Sequence, residues 1–138
     1  MNTVPDQPEG LAVEDDPSIP DSVMLLRLVH PTHVRIRSGN QVPKTAALTN
    51  TKGTNKMSVF IKEEFETAGH LAEALPGLLN KDDYGVLAFP AQKVRELGQG
   101  IVRQQLDSGP PGHANVIGEK NRRTKSRFQG PLLRTATW

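Results

Sequence analysis

The apolar positions of this 138-residue chain fall in short runs broken by proline, glycine and charge. Val23 to Val29 is nearly continuous in apolar residues and is closed by Pro31. A run this short, ended by a breaker, predicts a buried strand rather than a helix. Val34-Arg-Ile-Arg37 alternates apolar and basic side chains, as a half-exposed strand does, and Ser38-Gly39-Asn40 predicts a turn. Residues 41–56 are polar, with Pro43 and Gly53, and read as a loop with at most one weak extended stretch. Met57 to Ile61 predicts a further strand. Between Glu63 and Ala74, Phe65, Ala68, Leu71 and Ala72 are spaced, with Leu75, for one apolar helix face. Thr67 is an alternative N-cap for a shorter helix, and Pro76-Gly77 ends the element. Tyr84 to Phe89 predicts a strand.

Pro90 fits the first turn of a helix over Ala91 to Leu97, with Gly98 at its C′ position. Ile101 to Leu106 and Ala114 to Ile117 predict two more strands around the turn-rich Asp107-Ser-Gly-Pro-Pro-Gly112. Lys120 to Phe128 has helical character without an apolar face, and Gly130-Pro131 breaks it. The fold class expected from this order is α+β: a small mixed sheet of about five short strands with two short helices. The folded domain is expected over 22–118, flanked by a disordered acidic tail at 1–21 and a basic segment at 119–138.

Composition sharpens the outer boundaries. Residues 1–21 hold six acids, no Lys or Arg, and four prolines, a mixture too poor in apolar surface to fold. Residues 113–138 hold six bases and one acid, and the body between carries 11 bases and 8 acids. The acidic head is therefore able to mask the basic end in cis. Four of the six aromatic residues (Phe60, Phe65, Tyr84, Phe89) lie between 60 and 89, which marks the expected core. The chain has no cysteine, so disulfides, thiolate nucleophiles and Cys-based zinc sites are excluded. No apolar run approaches the roughly 18 residues of a membrane span, and the acidic, proline-rich start is unlike a secretion signal. The expectation is a soluble cytoplasmic protein with no membrane association.

The candidate chemistry begins with histidine, the side chain that titrates near neutral pH without help. His30 and His33 stand three apart, and with His113 or Asp107 they would make a ligand set for a metal. Pro31 forbids a regular helix through the pair and no H-E-x-x-H is present, so no metal and no cofactor is expected. His70 reads as structural. Serine, histidine and acid are all present but no G-x-S-x-G is, and neither Leu97-Gly-Gln-Gly100 nor Gly109-Pro-Pro-Gly112 is a phosphate loop.

The basic stretch Glu119–Phe128 places five positive charges in ten residues. Lys120, Arg122, Arg123, Lys125 and Arg127, with Arg134, are the expected contacts to nucleic acid or to a protein partner, and Phe128 and Trp138 are able to stack on unpaired bases. Arg27 is a single charge inside an apolar run. Either its face is exposed, or a carboxylate or a ligand holds it. The first functional expectation is a non-enzymatic accessory protein that binds a protein partner or nucleic acid through the basic segment. The alternative is an enzyme domain acting on a nucleotide around Arg27, His30, Ser58 and His113.

Leu25-Leu-Arg-Leu-Val-His-Pro31, Met57-Ser-Val-Phe60, Tyr84-Gly-Val-Leu-Ala-Phe89, Gly100-Ile-Val-Arg103 and Pro111-Gly-His-Ala-Asn-Val-Ile-Gly-Glu-Lys120 occur in that order. Together they resemble a family of small bacterial proteins with an opening Leu-x-Arg-x-Val-x-Pro and a late His-Ala-x-Val-x-Gly-x-Lys. The resemblance spans about 25–138 and implies no activity, but it singles out Arg27, His113, Gly118 and Lys120. A looser likeness is to the NAD-gripping core of ADP-ribosyltransferase-like folds, where an Arg on a first strand and a Ser on a later one hold the cofactor. It implies such roles for Arg27 and Ser58. The acid that such folds place on a late strand has no counterpart here.

Overall fold

The computed structural model describes residues 14–106, 109–120 and 125–138. Its centre is a five-stranded sheet in the order β5-β1-β4-β7-β6, with β1 at Met24–Val29, β4 at Lys56–Ile61, β5 at Gly85–Pro90, β6 at Gly100–Arg103 and β7 at His113–Ile117. β2 (Val34–Arg37) and β3 (Asn40–Pro43) form a separate hairpin. The helices are α1 (Lys62–Thr67), α2 (Leu75–Leu78), α3 (Ala91–Glu96) and α4 (Gly130–Thr135). The α+β class holds. Every strand pairing is antiparallel, so the sheet is not mixed.

Both faces of the sheet are covered, which is why β1 reads as a continuous apolar run. Leu25 and Val29 enter the larger core cluster, together with Phe89, Val94, Phe128 and Leu132. Leu26 enters the smaller one, with Phe60, Phe65 and Leu75. The hairpin turn places Ser38 at φ 52° and Gly39 at φ 80°, the two left-handed residues that a tight two-residue connection requires.

The structure redraws several expected elements. The helix expected over Glu63–Ala74 stops after Thr67, because Gly69 turns the chain at φ 95°. Thr67 does not cap a new helix; its hydroxyl donates to the Glu63 carbonyl one turn back. Ala72–Ala74 is a 3-10 turn that leads into α2, with Pro76 and Gly77 inside that helix and Leu71 65% exposed. The strand expected over 101–106 ends at Arg103. Gly130-Pro131 opens α4 rather than ending a helix: a π turn over Lys125–Gln129 runs straight into it, and Pro131 sits in the first turn where a missing N–H costs nothing.

The body is also wider than 22–118. On the acidic side, Ile19 is fully buried in the larger cluster. Asp16 N–H donates to the Ile101 carbonyl, and Ile101 N–H donates to Asp15 Oδ1, so residues 15–16 cover the free edge of β6. Arg95 pins the segment through Asp15 Oδ1, Asp21 Oδ1 and the Asp16 and Ile19 carbonyls. Asp16 meets Arg103 at 3.3 Å. These acids pair with Arg95 and Arg103 of the body. Residues 1–13 lie outside the described residues.

On the basic side, Phe128, Gln129 and Leu132 are buried, and Thr137 pairs with Ala88 to cover the other edge of the sheet at β5. The Trp138 ring lies on Gly85, where any β-carbon would collide with it.

Candidate functional site

β1 and β4 pair only through Leu25↔Ile61 and Leu26↔Phe60. Beyond that point the strands part, and a cavity of about 460 Å³ opens at the split. Six segments of the chain line it. β1 gives Arg27 and Leu28, and the turn after it gives His30 and His33. β4 and β7 give Ser58, Phe60 and His113. The segments before β5 and after β6 give Leu79, Lys81, Tyr84 and Leu106.

Arg27 fills the gap where the ladder ends. Its Nε donates to the Ala47 carbonyl (3.1 Å), one Nη to Ser58 O (2.9 Å) and the other to Thr49 O (3.3 Å). The guanidinium is thus held neither by an exposed face nor by a carboxylate, but by backbone oxygens. Burial pulls its pKa down to about 10. A guanidinium has five N–H groups and three are engaged, which leaves two for the cavity among the described residues.

Ser58 and His113 are diagonal neighbours on one face of the sheet, set by the registers Ser58↔Asn115 and Phe60↔His113. Ser58 Oγ lies 2.7 Å from His113 Nε2, and His113 Nδ1 lies 2.8 Å from the Gln104 carbonyl. A carbonyl only accepts, so Nδ1 carries the proton. In the neutral ring Nε2 then accepts from the Ser58 hydroxyl. Phe60 meets the imidazole edge-on at 5.2 Å and fixes its plane. Asn115 donates to Gln104 Oε1 at 2.6 Å, and Gln104 N–H donates back to the His113 carbonyl, so the residue that orients His113 is itself tied to β7. Gly112, at φ 93°, delivers the strand: its carbonyl accepts from Ile61 N–H, and a β-carbon there would press on the Ile61 carbonyl.

At the rim, His30 caps the 3-10 turn of Pro31–His33, its Nδ1 accepting from Thr32 N–H. The ring stands edge-on to Tyr84 at 5.0 Å, and Lys81 lies over Tyr84 at 5.0 Å. Burial, then the neighbouring His30, Arg27 and Lys44, push the His33 pKa below its usual value. No carboxylate lines the cavity among the described residues; Asp107 lies outside them. Nor is any group of three or more His, Asp or Glu placed to hold a metal ion among the described residues.

The structure therefore gathers Arg27, His30, Ser58 and His113 into one cavity. It does not gather the basic set. Lys120 is buried, its Nζ donating to Asn50 Oδ1 (2.7 Å) and to the Val116 and Gly118 carbonyls. It also lies 5.5 Å from the Phe128 ring centre, so neither Lys120 nor Phe128 is free to meet a nucleic acid. Arg127 and Arg134 are exposed, while Arg122 and Arg123 and the Lys125 side chain lie outside what is described.

Gln104 and the carbonyls of Ala47 and Thr49 were not legible as site residues. The carbonyls belong to every residue alike, and Gln104 acts through its backbone oxygen. No helix among the described residues is long and apolar enough to cross a membrane. No family model, curated protein or solved structure matches the chain.

Proposed function

We propose that the protein binds a small phosphate-bearing molecule, of the nucleotide class, in the cavity at the β1–β4 split. The observation that carries this reading is Arg27. Among the described residues this largely buried guanidinium has no carboxylate partner; three of its N–H groups are fixed, two are left over, and the residue lines the cavity. A preorganised, partly desolvated guanidinium is a strong receptor for an oxyanion, because charge-assisted hydrogen bonds are worth most away from water. Lys81 extends the same sign of charge, and Tyr84 with His30 offers ring surface for a flat group. The ADP-ribosyltransferase-like reading of Arg27 and Ser58 agrees with their sharing this cavity, but the late acid it asks for is missing from the described lining.

The test is an NMR titration of the ¹⁵N-labelled full chain with inorganic phosphate and with nucleoside mono- and diphosphates. Shifts should centre on Arg27, Ser58, His30 and Tyr84, and they should vanish in Arg27→Lys. Shifts elsewhere, or unchanged in that variant, would overturn the reading.

A second reading, recognition of nucleic acid or an acidic protein by the C-terminal segment, is favoured by the exposure of Arg127 and Arg134. Anisotropy of labelled DNA and RNA at two salt concentrations tests it. Binding that weakens steeply with salt and needs both arginines supports it, and binding indifferent to either counts against it.

A further inference from the structure

The geometry points to Ser58 as a nucleophile, activated by His113 and aimed at an ester of an oxyacid. The inference deepens the proposed function, since the ester is taken to belong to the ligand that Arg27 holds. Its parts are a hydroxyl, a base and a group that orients the base. Ser58 Oγ is within 2.7 Å of His113 Nε2, and the opposite nitrogen donates to the Gln104 carbonyl at 2.8 Å. The same relation of nucleophile, base and orienter recurs on unrelated folds, and it is recognised by geometry and not by order in the chain. Here a backbone carbonyl takes the orienting place usually given to a carboxylate. Ser58 and His113 both open on the cavity, and Arg27, whose guanidinium donates to the Ser58 carbonyl, lines it as well. Its spare N–H groups supply what a developing oxyanion needs.

The step balances without a further reagent. Ser58 Oγ bonds to the electrophilic centre, a carbonyl carbon or a phosphorus, as its proton passes to His113 Nε2. The bond from that centre to the alcohol oxygen breaks, and the alcohol leaves with the proton from His113. Water then gives a proton to His113 and its oxygen to the ester on Ser58, releasing the acid and restoring the hydroxyl. The net reaction is ester plus water giving acid plus alcohol.

The absence of cysteine makes a clean test possible, because Ser58→Cys introduces the chain's sole thiol. At neutral pH a thiol paired with His113 should be alkylated by iodoacetamide roughly tenfold faster than the exposed control Ser22→Cys. Adding His113→Asn should bring it down to the control rate or below. A rate at Ser58→Cys that is indifferent to His113 would overturn the proposal.

In the native chain, a fluorophosphonate probe should add once, at Ser58, as read by intact mass and peptide mapping. Ser58→Ala should abolish the adduct, and His113→Asn should slow it by roughly 10²-fold or more. Melting curves confirm that each variant is folded. No adduct on the native chain, or an adduct that persists in Ser58→Ala, would refute the assignment. p-Nitrophenyl acetate and p-nitrophenyl phosphate then separate the two ester classes by which leaves its acid on Ser58. Labelling at Ser58 with no phosphate binding would sink the ligand reading alone. Phosphate binding without labelling would sink the nucleophile alone.

Discussion

Arg27 and Lys120 are two largely buried cations with no carboxylate partner among the described residues, solvated by oxygens of the same fold, and the arithmetic of their donors sets them apart. Lys120 has three N–H groups and three acceptors, Asn50 Oδ1 and the Val116 and Gly118 carbonyls, so it is saturated. Arg27 has five and spends three. One chain segment joins the two sites. Ala47 and Thr49 present carbonyls to Arg27, Gln129 Nε2 donates to Leu48 O, and Asn50 reaches Lys120 while also donating to Gly118 O. The comparison teaches that a buried cation is structural when its donors are used up and available for function when they are not. Burial alone does not separate the cases.

The largest effect should come from removing either cation. Arg27→Met and Lys120→Met each strand a set of buried carbonyls, and each should cost about 3 kcal/mol in chemical denaturation. The two variants should then part: Arg27→Met should lose phosphate binding, and Lys120→Met should keep it in whatever fraction stays folded. Equal loss of binding in both would dissolve the distinction.

Arg27→Lys is the sharper variant. An ammonium has three N–H groups and the three carbonyls claim all of them, so the cavity cation becomes a second Lys120. Stability should fall by no more than about 1.5 kcal/mol, while phosphate affinity should drop roughly tenfold or more, as read by calorimetry. Retained affinity would show that the spare N–H groups are not what binds.

A third test uses pH. Burial, with Arg27 nearby, pulls the Lys120 pKa from 10.5 down to about 7. Between those values the unfolded chain binds a proton that the folded chain has released, so stability rises with pH across the window. Below about pH 7 both states are protonated and the cost of the buried charge is fully present. Denaturation midpoints from pH 7 to 10 should climb in the native chain, and the climb should flatten in Lys120→Met. The smallest effects belong to Arg127→Ala and Arg134→Ala. Both side chains are exposed, and stability should stay within about 0.5 kcal/mol of the native chain by thermal melting.

Much of the architecture was legible because strand and turn signals are local. β1, β2, β4, β5, α3 and β7 fall within a residue or two of their apolar runs, and the Ser38-Gly39 turn sits where its residues demand it. The segment 63–78 was misread because its apolar spacing fits one helix, while Gly69 breaks the path and leaves Leu71 in solvent. The ends were misread for a different reason. Charge and proline made 14–21 look unfoldable, yet one buried isoleucine and an arginine far along the chain hold it. The candidate residues Arg27, Ser58 and His113 were visible singly, as a charge in an apolar run and as ordinary members of two strands.

What the sequence determined by itself is therefore the set of strands, the α+β class and the oddness of Arg27, since each rests on neighbours a few positions away. The tertiary structure decided the rest. The antiparallel register alone puts Ser58 beside His113, 55 positions apart, and only the short β1–β4 ladder opens a cavity at Arg27. It also decided that Lys120, the first of the basic cluster, is closed inside the fold while Arg127 and Arg134 reach solvent. Hydrogen-bond saturation is a property of the assembled oxygens, and no count of charges along the chain contains it.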